Sequence, residues 1–123
     1  MIVITTQEIA QYRSELANYE EALVALDAIE DCEGDLEDAA VSLAIKVGQQ
    51  PDRSNWLDGV AKRCRVAICQ EDFREDLLQK KLAATVGYLI EKKICPGILV
   101  APVVIYVVKQ GVSEFCEPLN FKL

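Results

Sequence analysis

From Ile94 to Val108 fifteen residues pass without a charge, "ICPGILVAPVVIYVV", in a chain that is otherwise acidic and charge-rich. Such a stretch must leave water, so the fold has to be organised around it. It is shorter than the roughly 20 residues of a spanning helix, and no transmembrane span is expected. Valine and isoleucine dominate after Pro102, which suits a strand as well as a helix. Pro102 fits the first turn of a helix, where its missing amide is not needed, and Lys109 and Gly111 make an ordinary helix end. The reading is a helix over 99–110, apolar nearly all round, belonging in the middle of a bundle or in an interface. The alternative is a strand pairing with residues 2–5, although an isolated two-stranded ribbon is marginal.

The other end of the chain is just as legible. Thr5 and Glu8 form a capping box, with Ile4 and Ile9 in the positions of a hydrophobic staple. Ile9, Tyr12, Leu16, Tyr19, Leu23 and Leu26 then follow the three-four spacing of a helical seam, and Gly34 supplies a left-handed stop. Asp35 caps a second helix whose face carries Leu36, Ala40, Leu43 and Val47, ending at Gly48. So short a turn makes an antiparallel hairpin. At 1.5 Å per residue, a helix over 5–33 would be about 40 Å long and one over 35–48 about 20 Å, leaving part of the first to be covered by something else.

"GQQPDRS" is a loop with Ser54 as a helix cap. Leu57, Val60, Ala61, Cys64 and Ile68 share one helical face, and the phase changes in "CQEDFRED", placing a break near Cys69–Glu71. A helix running unbroken from Ser54 to Ile94 is the other possibility. Beyond the break, acids at the start and lysines at the end suit the helix dipole, and Pro96 and Gly97 terminate the element. The expected fold is therefore all-α: one domain, 1–123, a bundle of about five helices over 5–33, 35–48, 54–69, 71–94 and 99–110.

Charge and cysteine content bound the function. Residues 1–52 hold twelve acids against Arg13 and Lys46, giving −10, whereas residues 53–123 sum to +3. The two halves are expected to complement each other and to leave a solvated acidic surface, an unfavourable match for nucleic acid despite the basic "KRCR" at Lys62–Arg65. The five cysteines form an odd set without a CxxC pair. With an N-terminus lacking the features of a signal peptide, they read as free, buried thiols of a cytoplasmic protein.

Chemistry is scarce. The absence of histidine removes the commonest general base and metal ligand together. No phosphate-binding glycine loop or nucleophile elbow occurs, and the acidic run Asp27–Asp38 puts Ile29 where a calcium loop needs an oxygen ligand. No cofactor or metal is expected. The function expected is that of a small acidic interaction module, an adaptor, inhibitor or non-catalytic subunit binding a protein partner or itself as an oligomer. Its partner-binding positions would be Ile9, Tyr12 and Leu16 on the first helix and Val100, Val104, Ile105 and Val108 on the last. The alternatives are an enzyme using paired carboxylates or a reactive cysteine, and a peripheral membrane or nucleic-acid binder.

Overall fold

The computed structural model describes residues 2–51 and 55–121. They form nine α-helices: α1 (Thr6–Glu15), α2 (Glu20–Asp31), α3 (Leu36–Lys46), α4 (Trp56–Arg63), α5 (Arg65–Ile68), α6 (Glu71–Leu78), α7 (Ala83–Glu91), α8 (Gly97–Gln110) and α9 (Val112–Cys116). A 3-10 turn, Glu117–Phe121, follows. The fold is all-α, with more and shorter helices than the five expected.

The local signals at helix ends are realised. Thr5 Oγ1 accepts from the Glu8 amide at 3.1 Å while the Thr5 amide donates to Glu8 Oε1 at 3.0 Å. Ile4 and Ile9 are both buried beside this capping box. Asp35 Oδ1 accepts from the Asp38 amide at 3.1 Å and caps α3. Ser54, expected to cap the third helix, lies outside the described residues.

Residues 2–5 do not pair as a strand with the apolar C-terminal segment, which is helical. The Ile4 amide donates to the Gly34 carbonyl at 2.8 Å and the Leu36 amide to that of Ile2 at 3.1 Å, tying the N-terminus to the α2–α3 turn. Gly34 sits at φ +88°, and a Cβ there would lie 2.3 Å from the Ile4 carbonyl oxygen. Only glycine admits both the left-handed backbone and that approach. The strand alternative for 98–108 is thus corrected to a helix. It starts earlier than expected, with Pro96 as its N-cap, so Pro102 falls inside α8 rather than in its first turn.

The continuous helix over 5–33 is also corrected. It breaks between Leu16 and Tyr19, and the two pieces use different faces. α1 buries Ile9 and Tyr12, with Leu16 at its end, but α2 turns Ala22, Ala25, Leu26 and Ile29 to the core and leaves Tyr19 and Leu23 half-buried. The alanines allow α8 to come close, and α2 packs more extensively on α8 than on any other element. α8 occupies the centre, touching α2, α3, α4, α7 and α9, with every residue from Leu99 to Val107 buried.

The break expected near Cys69–Glu71 is present, α6 beginning at Glu71. The helices expected over 54–69 and 71–94 are each corrected to two: one breaks at Cys64, between α4 and α5, and the other between α6 and α7, where Lys80 takes a left-handed φ of +62°. Glu15, the last residue of α1, explains how that break is held. Its carboxylate Oε2 accepts from the Leu82 amide and from the Ala83 amide, the latter at 3.0 Å, so a side chain 67 residues away caps α7. Replacing Glu15 with alanine should cost about 1 kcal/mol, as loss of a helix cap does. Urea unfolding would measure it, and Glu15→Gln, which keeps an acceptor, should recover part of the loss.

Cys69 and Cys116 form a disulfide across 47 residues of sequence, linking the α5–α6 junction to the end of α9. The expectation of five free thiols is corrected to three: Cys32, Cys64 and Cys95. An odd cysteine count without close pairs hides a bond between distant residues. Among the described residues no single helix is long and apolar enough to cross a membrane; α8 and the segment after it reach that length only as a pair bent by 103°.

Candidate functional site

The residues expected to bind a partner are spent on the chain's own interior. Ile9, Tyr12, Leu16, Val100, Val104 and Ile105 are all buried, and Val108 is half-buried against the same core. Burial, helped by the charges of Glu8 and Glu15, pushes the Tyr12 hydroxyl up to about 12. Six of the seven side chains offer almost no free surface, and Val108 only part of one. The periodicity that singles them out marks any apolar stripe and does not distinguish a core from an interface.

Two surface regions stand out among the described residues. The first is a polar cleft of about 420 Å³ between α4 and α8, lined among others by Glu37, Asp58, Lys62, Arg65, Tyr106 and Glu114. Tyr106 donates to Asp58 Oδ1 at 2.7 Å, and Lys62 Nζ lies 2.9 Å from Asp58 Oδ2. Partial burial raises the Asp58 carboxyl, but the hydrogen bonds from Lys62 and Tyr106 outweigh this and hold it below the usual carboxylate range. Burial and the adjacent Asp58 drive Tyr106 the other way, well above an ordinary phenol. Both groups are moved away from neutrality. That fits a fixed ion-pair network and is the opposite of the tuning general acid–base catalysis needs. Arg65 stacks over Phe115, 4.9 Å from the ring centroid, so part of the basic "KRCR" segment is committed within the fold.

The second region is an apolar groove. One depression of about 500 Å³ is lined by Tyr19, Phe73, Ala84, Gly87, Tyr88, Ile90 and Glu91. A second, of about 490 Å³, shares Ile90 with it and continues along Glu21, Lys93, Ile94, Pro96 and Gly97. Phe73 and Tyr88 form one wall as a tilted aromatic pair with centroids 5.1 Å apart. Tyr19 reaches across from the start of α2 to Gly87, where a Cβ would stand 2.6 Å from its hydroxyl oxygen. Glycine at 87 is what lets the tyrosine lie there.

The groove exists because the first helix breaks. Had α1 and α2 been continuous, Tyr19 would sit mid-helix on the seam instead of at an N-terminus facing α7. Its lining comes from α2, α6, α7 and the α7–α8 connection, which no single periodic pattern can reveal. The sequence does carry one hint: Phe73 and Tyr88 are large aromatics on helices whose core stripes are otherwise aliphatic.

Charges of both signs border this surface. Glu21, Glu91 and Lys93 are exposed in its lining, and Lys92 Nζ lies 5.9 Å from the Tyr88 ring centroid. Across the two halves of the chain, Lys109 Nζ pairs with Glu8 at 2.8 Å. Arg13 is taken up within the first half by Asp27 and Glu30. No group of three or more candidate metal ligands occurs among the described residues.

No protein-family model, curated protein or solved structure matches the chain.

Proposed function

We propose that this chain is a small acidic helical interaction module, an adaptor, inhibitor or non-catalytic subunit, that docks a basic amphipathic segment of a protein partner. The observation that carries the reading is the open aromatic groove between Tyr19, Phe73 and Tyr88, extended past Ile90 and Ile94. Half-exposed aromatic side chains are common anchors of protein interfaces. The net charge of −7 favours a basic partner, whose cations would face Glu21 and Glu91 in the lining. Apolar side chains of the segment would fill the two depressions beside them.

A labelled leucine–lysine peptide, its leucines spaced three and four residues apart so that they form one face of an amphipathic helix, is the probe. Fluorescence anisotropy should show saturable 1:1 binding that weakens with added salt. Ile94→Arg should weaken it at least tenfold, because Ile94 is exposed and lines the groove. Val66→Arg, at an exposed valine outside the groove, should leave it unchanged. Absence of saturable binding, or equal losses in both variants, would overturn the reading.

A further inference from the structure

The geometry points to Cys64 and Cys95 as a dithiol modification site that takes a small hydroperoxide and closes to a second disulfide. The two thiols belong to distant parts of the chain, Cys64 at the α4–α5 junction and Cys95 in the α7–α8 connection. The fold sets them in the wall of one cavity of about 110 Å³, together with Trp56, Arg63 and Leu99. Lining the same small cavity, they are near enough to influence each other's ionisation. Neither is used by the existing disulfide.

The surroundings suit the chemistry. A hydrogen bond from Cys95 favours the Cys64 thiolate, and Arg63 adds to this against the effect of burial. The same contact, with burial, raises Cys95. The thiolate is the nucleophilic form. A water occupies roughly 30 Å³ of liquid, so the cavity accepts an oxidant only a few waters in size. Cys95 is half-exposed and gives access.

The steps balance. The Cys64 thiolate attacks one oxygen of hydrogen peroxide, the O–O bond breaks, and hydroxide leaves to take up the proton released from Cys64. Cys64 is now a sulfenic acid. Cys95 loses its proton and attacks Cys64 Sγ; the S–O bond breaks, and the second hydroxide takes up that proton. Two thiols and one peroxide give one disulfide and two waters. The new bond would pin the α7–α8 connection to α4, on the side where the cavity adjoins the groove through Ile94, Cys95 and Pro96.

The test treats the full chain with equimolar hydrogen peroxide and maps peptides by mass spectrometry without reduction. A Cys64–Cys95 linked peptide should become the dominant oxidised species, forming at least tenfold faster than with cumene hydroperoxide. In Cys95→Ser, Cys64 should stop at a sulfenic acid that dimedone captures. The inference fails if wild-type protein yields no linked peptide, if Cys64 and Cys95 proceed separately to sulfinic acids, or if Cys32 is oxidised before the pair. It also fails if the bulky peroxide reacts equally fast.

Discussion

Replacing Ile105 with aspartate should abolish the cooperative unfolding transition, leaving a chain with weak helical circular dichroism at 25 °C. Ile105 is fully buried in α8, the element on which α2, α3, α4, α7 and α9 converge. Removing the side chain alone would cost about 2–5 kcal/mol, from lost transfer energy and the cavity left behind. Burying an unpaired carboxylate adds several kcal/mol more, or forces it to be protonated. A domain of this kind has only about 5–15 kcal/mol of stability to lose. The conservative change Ile105→Val should cost about 0.5–1.5 kcal/mol and remain folded. The pair also decides between core and interface: an aspartate variant that is folded and merely loses a binding partner would place Ile105 on a surface.

Breaking the Cys69–Cys116 bond should produce the second large effect. The cross-link spans 47 residues. Closing a loop of that size stabilises a fold by about 2–4 kcal/mol, chiefly by restricting the unfolded chain. With a urea m-value of about 1–3 kcal/mol/M, the midpoint should fall by about 1 M or more when both cysteines are replaced by alanine. Alanine avoids leaving buried hydroxyls without partners at these sites. Reductant should reproduce the shift in the wild type and have no effect on the double variant. An unchanged midpoint after demonstrated reduction would show that α9 stays docked without the bond. Packing alone, through the buried Val112 and Phe115, would then suffice to hold it.

The two predictions touch different kinds of information. That α8 is shielded from water follows from composition, because fifteen uncharged residues belong in a core or in an interface; the packing of α2, α3, α4, α7 and α9 on it decides for the core. That Cys69 meets Cys116 follows from nothing local. The functional expectation divides the same way. Apolar stripes on α1 and α8 were the natural choice for a partner surface, and the fold consumed both. The surface that remains was assembled from Tyr19, Phe73, Tyr88 and Ile94, residues that no common period connects.

By itself the sequence determined the helical class and several helix ends: the Thr5–Glu8 box, the Asp35 cap, the stops at Gly34 and Gly111, and the start of α6 at Glu71. Each of these rests on groups within about four residues of one another, so the chain need not close on itself to express them. The tertiary structure alone decided that Glu15 caps α7, that α2 turns its alanine stripe inward, and that the cysteines meet as they do. Those choices depend on contacts between segments tens of residues apart. Their partners are fixed only once the packing of α8 has brought the segments together.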